Sequence, residues 1–144
     1  MVHTVIVEQD EQSHQQNHSL DFLIVDTPAG GSDASIEFAA ACENLIMVLV
    51  GEPTSFMDAY SFIKAMHLEK NYSRVSVLVN LSSSKNDALK SFNSFKDIAT
   101  KFLDVELEFA GWLPNSTEMK NSILTRKPVV LQNKPRDKTL NDNF

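Results

Sequence analysis

Three apolar runs set the architecture of this chain: Phe22-Leu23-Ile24-Val25, Leu45 to Val50 and Val75 to Val79. Each is followed by a turn signal and then by apolar residues at helical spacing. Strands that are apolar on both faces are buried on both faces, and strands alternating with helices make βαβ units with right-handed crossovers. The expectation is an α/β fold with a mostly parallel β-sheet flanked by helices.

The helical patterns are specific. After the first run, Ser32 or Asp33 is placed to cap a helix that buries Ile36, Ala39 and Ala40. Gly51-Glu52-Pro53 breaks the second run. Thr54-Ser55 then opens a helix, with Ser55 and Asp58 as a capping-box variant and Phe56, Ala59, Tyr60, Ile63 and Met66 inward. A longer helix from about Asn86 carries Leu89, Phe92, Phe95, Ala99, Phe102 and Leu103. Val105, Leu107 and Phe109 alternate with Glu106 and Glu108, which predicts a strand towards an edge with one wet face. Beyond Pro114 the pattern gives a loop, a short helix to about Leu124 and an extended piece from Pro128 to Leu131.

The termini read differently. Val2 to Val7 is β-branched and reads as a strand, whereas Glu8 to Ser19 is a polar tract with nothing to bury. The expected organisation is a strand candidate with a linker over 1–19, an α/β domain over 20–133 and a polar tail over 134–144. A length of 144 residues suits one core.

Composition removes several classes. A formal net charge of −6 opposes a generic nucleic-acid surface, so no direct nucleic-acid partner is expected. No apolar stretch approaches the ~18 residues of a membrane span, no amphipathic membrane helix is evident, and the tail from Lys134 has no apolar face. The single Cys42 lies beside Ala39, Ala40 and Ala41 and reads as a small core residue in a reducing compartment. The expected location is cytoplasmic.

The chemistry concentrates after the first strand, in Asp26-Thr27-Pro28-Ala29-Gly30-Gly31. An apolar strand ending in Asp delivers a carboxylate to the carboxyl edge of a parallel sheet, and the glycines let backbone N–H groups approach a phosphate. A complete site also needs a loop of the form G-x-x-x-x-G-K-[ST]. None of Gly30, Gly31, Gly51 and Gly111 begins one.

Asp26 read alone caps a turn, and Asn80 read alone ends a strand. His14 and His18 are four apart but sit in a Gln-rich tract without a third ligand, which reads as a solvated loop. Glu106 and Glu108 share a strand face, which their alternation with apolar residues explains without chemistry.

Four blocks in order, Asp21 to Gly30, Glu52-Pro53-Thr54-Ser55 with Asp58-Ala59-Tyr60 and Ile63-Lys64, Val79-Asn80, and Gly111-Trp112-Leu113-Pro114, resemble the MinD/ParA class of P-loop ATPases. The second block and the helix from Phe92 to Leu103 are similar to its FlhG/FleN branch, regulators of flagellar number and placement. The resemblance covers about Leu20 to Pro135. It implies ATP and Mg²⁺ as cofactors of the family, with Asp26 holding a water on the metal and Gly30 sensing the γ-phosphate. It further implies that Asn80 hydrogen-bonds adenine and that the loop after Pro114 closes over the base. Flagellar or cell-division proteins are the implied partners, and a homo-oligomer is compatible with it.

The chain departs from that pattern where the phosphates would bind. Phosphoryl transfer rests on positioning and charge neutralisation, so without a glycine loop the chain alone is expected to bind nucleotide weakly or not at all and to be inactive. The sequence thus reads as a truncated regulator retaining the second switch and the adenine side, against a non-catalytic interaction module or a split-gene remnant. Gly51, where the family commonly has Pro, and Ser116, where it often has Asp, are smaller departures.

Overall fold

The computed structural model describes residues 3–8, 23–27 and 31–131. In chain order the elements are β1 (His3–Glu8), β2 (Leu23–Thr27), α1 (Asp33–Ala40), β3 (Asn44–Val50), α2 (Pro53–Lys70), β4 (Arg74–Ser82), α3 (Lys85–Thr100), β5 (Glu106–Pro114), α4 (Thr117–Thr125) and a 3₁₀ turn, Val129–Leu131. The expected fold class is observed. The piece from Pro128 to Leu131 is a 3₁₀ turn and not extended, because the Leu131 N–H closes onto the Pro128 carbonyl at 3.1 Å.

One five-stranded sheet runs in the order β2-β1-β3-β4-β5. β3, β4 and β5 are parallel. β1 is antiparallel to both neighbours, with Val5 opposite Asp26 on one side and Ile46 on the other. It lies between β2, which carries Asp26, and β3, and it holds β2 parallel to β3. The segments 9–22 and 132–144 lie outside the described residues, so the polar linker and tail read from the sequence find no counterpart here.

The helices begin where the side chains dictate. Ser32 caps α1, accepting from the Ser35 N–H at 3.2 Å. Ser84 caps α3 by accepting from Asp87 N–H, while the Asp87 carboxylate accepts from Ser83 N–H at 3.3 Å. α2 starts with Pro53 after Glu52, which makes no side-chain cap. A proline at the first helical position lacks the N–H that would otherwise need a partner. Ser55 is therefore not the cap expected from the sequence. It is fully buried, and its Oγ accepts from the Val50 N–H at 3.0 Å, tying the first turn of α2 to the end of β3.

One core joins all three long crossovers. Met47 stands opposite Val77 and Leu49 opposite Val79, so these buried residues share a sheet face. Ile36 and Ala39 of α1, Phe62, Ile63 and Met66 of α2, and Phe92, Phe95 and Ala99 of α3 belong to the same cluster. Each such side chain stabilises the fold by roughly 1.5–3 kcal/mol. The alternate strand residues Ile46, Val48, Leu78 and Asn80 face the other way and are half-buried. Phe102, placed inward by the helical pattern, is 66% exposed, because α3 ends at Thr100 and its repeat no longer applies.

β5 forms one edge, as its alternation predicts; β2 forms the other, and its Leu23 and Ile24, expected from the apolar run to be buried on both faces, are exposed, because among the described residues no strand pairs beyond it. Glu106 and Glu108 are exposed and flank Arg74 of β4 at 3.9 and 3.5 Å. These ion pairs are solvent-screened and contribute little to stability.

Candidate functional site at the carboxyl edge

β2, β3, β4 and β5 all end at one edge of the sheet, the edge at which parallel α/β sheets bind ligands. Asp26 is the penultimate residue of β2 and is exposed. Gly30 lies outside the described residues.

Asn80 and Pro114 are brought together. Val79 stands opposite Trp112 and Ser82 opposite Pro114, so β4 carries one extra residue across this interval, a β-bulge. Leu81 absorbs it with φ of 58°. The Asn80 side chain supports that turn, its Oδ1 accepting from the Leu81 N–H at 2.9 Å. Pro114 is buried, and the next residue's N–H, that of Asn115, donates to the Ser82 carbonyl at 3.1 Å. Ser116 then caps α4, accepting from Glu118 and Met119 N–H groups at 3.2 and 3.4 Å. The loop after Pro114 is thus fixed to the end of β4.

Asp26 stands apart from this corner. Through Val5 and Ile46 its row in the sheet reaches Ser76, four residues before Asn80 and three strands away. At about 3.3 Å per residue and 4.8 Å per strand, the separation is on the order of 20 Å. A ligand touching both would cross the ends of β1 and β3. β1 enters the sheet there with His3 and runs towards the opposite edge, so between Asp26 and Asn80 only β3 delivers a connection to this edge, the short Gly51-Glu52 turn into α2.

A nucleotide therefore fits this edge unevenly. On the adenine side, the Asn80 amide keeps its two N–H donors and one lone pair for a base, although its oxygen is already engaged with Leu81. Elsewhere the 144 residues contain no G-x-x-x-x-G-K-[ST] loop, and Asp26 is an exposed carboxylate near the end of β2. Among the described residues no three His, Cys, Asp or Glu side chains gather as a metal site. Among the described residues, the polar groups at this edge include the Asn80 amide and the Asp26 carboxylate.

Sequence reasoning missed four features. The Ser55–Val50 bond and the Leu81 conformation are long-range or backbone facts; only the Asn preceding Leu81 hinted at a left-handed turn. Two hollows also escaped it. A polar one of about 410 Å³ at the opposite sheet edge is bordered by Asn44, Tyr72, Arg74 and Glu108. An apolar one of about 360 Å³ between α2 and α3 is lined by Phe56, Met57, Tyr60 and Ile98.

A parallel β3-β4-β5 unit with its crossover helices on a common core and polar groups at the carboxyl edge defines a domain of the P-loop NTPase type. The family profile for ParA, described as the NUBPL iron-transfer P-loop NTPase, matches residues 2–143, and the chain belongs to that family. It is 32% identical over 111 residues to the antiactivator FleN of Pseudomonas aeruginosa, covering 77% of this chain and 40% of that protein. It is 27% identical over 110 residues to the flagellum site-determining protein YlxH of Helicobacter pylori, covering 76% of this chain and 37% of that protein. The chain thus spans about two fifths of the length of these relatives.

Proposed function

We infer that this chain acts in the control of flagellar number or placement, as a FleN/FlhG-like protein that contributes the second switch and the adenine side of a nucleotide site. The observation that carries the reading is the pair of relatives, an antiactivator and a site-determining protein of flagella, joined to the Asn80–Pro114 corner at the ligand edge. The chain by itself does not hydrolyse ATP and acts in the cytoplasm through protein partners. A Mg²⁺-dependent ATP site forms only when another polypeptide segment supplies the phosphate loop, with Asp26 and Gly30 then in the switch roles.

The test has two parts. Isothermal titration with Mg-ATP and a turnover assay on the purified chain should give at most weak binding and no hydrolysis above background. Expression in a polar flagellate lacking its FleN, or alongside an intact one, should change flagellar counts by microscopy. Unchanged counts in both backgrounds overturn the flagellar reading, and Mg²⁺-dependent hydrolysis overturns the site reading.

A further inference from the structure

Among the described residues, the three most exposed large apolar side chains, Leu124, Leu131 and Ile123, belong to α4 and the 3₁₀ turn that follows it. Ile123 and Leu124 of α4 are 73% and 81% exposed, and Val130 and Leu131 of the 3₁₀ turn are 58% and 76% exposed. These residues belong to one folded piece. α4 ends at Arg126 in the left-handed conformation, with Arg126 N–H donating to the Ile123 carbonyl at 3.2 Å and Lys127 N–H to the Ser122 carbonyl at 3.0 Å. That is a Schellman-type stop, which turns the chain back. Ser122 and Val129 are buried beneath it and anchor the turn.

The charge of this piece opposes that of the protein. From 117 to 131 there are three cations, Lys120, Arg126 and Lys127, to one carboxylate, Glu118, in a chain of net charge −6. Lys120 lies one turn from both Ile123 and Leu124, so a cation borders the apolar residues directly. An apolar patch rimmed by polar groups marks an interaction site, and a basic rim selects an acidic partner and steers its approach.

We propose that α4 and the following 3₁₀ turn form a docking surface for an acidic amphipathic helix of a protein partner. Two observations favour a protein over an anionic bilayer. α4 has nine residues and ends in a fixed turn, whereas interfacial helices carry a long apolar face with many cations. The remainder of the chain is strongly acidic and is repelled by anionic lipid. The inference does not depend on the flagellar reading, since it rests on exposure and charge alone. It has a consequence for the site: α4 is capped by Ser116, so a helix seated on α4 bears on the loop that joins Pro114 to it.

The probe is a fluorescein-labelled peptide helix of about five turns with a leucine stripe flanked by glutamates, followed by anisotropy against the full chain. Controls are its scrambled sequence and the same stripe flanked by lysines. The glutamate peptide should bind at least about tenfold more tightly than either control, and Leu124→Glu should weaken it about tenfold. Lys120→Glu, a surface change that keeps the test open if Leu124→Glu misfolds, should weaken it about threefold and reduce its salt dependence. Ile98→Glu, in the separate α2–α3 hollow, should leave it unchanged. Equal binding of the scrambled peptide, or loss with Ile98→Glu and not with the α4 variants, overturns the proposal. So does Leu124-dependent flotation with phosphatidylglycerol vesicles in the absence of peptide binding, which assigns the patch to lipid.

Discussion

A side chain at Gly51 would meet Ser91: a Cβ built there lies 2.5 Å from the Ser91 Oγ and 3.3 Å from its Cβ. The turn leaving β3 and the second turn of α3 thus approach closely enough that a Cβ at 51 forces the Ser91 hydroxyl to another rotamer and the Ser91 Cβ to give by a few tenths of an ångström. Gly51→Ala should destabilise the domain by about 1–3 kcal/mol, the cost of overpacking, read as a lower urea midpoint at unchanged slope. Adding Ser91→Ala removes the closer contact and should recover most of the loss. The proline common at this position in the resembling family meets the same obstacle, so Gly51 and Ser91 form a coupled pair.

The Asn80 side chain serves two purposes, and one substitution separates them. Asn80→Ala removes the acceptor for Leu81 N–H and should lower stability by about 1 kcal/mol. It should also abolish the weak adenosine binding expected of this corner, while wild-type chain binds adenosine and ATP about equally because the phosphates gain no contacts. A marked preference for ATP in titration calorimetry, or adenosine binding that survives Asn80→Ala, refutes the adenine-side assignment.

Alkaline pH should weaken the fold through Tyr72. Burial, and then the neighbouring Cys42, raise its phenol above the ordinary value of 10.0, with a backbone hydrogen bond from Leu45 offsetting part of the effect. Above pH 10 the unfolded chain releases this proton while the folded chain holds it. The stability that the neutral phenol contributes is complete below pH 10 and is lost as pH rises through the folded value. Urea midpoints measured from pH 8.5 to 11 should fall more steeply for wild type than for Tyr72→Phe.

Removing residues 1–8 should cost the domain its cooperative transition. β1 pairs with β2 over five residues and with β3 over five more, and each buried group left unpaired costs on the order of 1–3 kcal/mol. The expected outcome is aggregation through the opened edges, seen by light scattering and a broadened melt. A monomer with an unchanged melt would show β1 to be dispensable.

Most of the fold was legible because burial leaves a period in the sequence. Leu45 to Val50 and Val75 to Val79 had to be central strands, and Ala59, Ile63 and Met66 had to face them. The direction of β1 was not legible, since a β-branched run pairs equally well either way and only the partner strands decide. Ser55 was misplaced for a related reason: a serine near a helix start caps by default, and Pro53 took the first helical position before it could. At the carboxyl edge, the motif order named Asn80 and Pro114, and the structure places them at neighbouring strand ends. The bulge that joins them depends on counting residues across two strands, information no single segment carries.

The direction of β1 also sets the order in which the molecule assembles. From Ile36 to Trp112 the core is made of consecutive strand–helix–strand units, whose contacts close over short loops and form early. β1 finds β3 only across some forty residues of intervening chain, and of β2 only Val25 packs against the buried cluster. β1 is therefore locked in after the strands it precedes, and the sheet has two tiers of protection. Native-state amide exchange should show β1 and β2 opening together at a fraction of the global free energy, with β3 to β5 exchanging only on complete unfolding. The slot beside β3 is then a place where a competing strand from another polypeptide enters without unfolding β3 to β5.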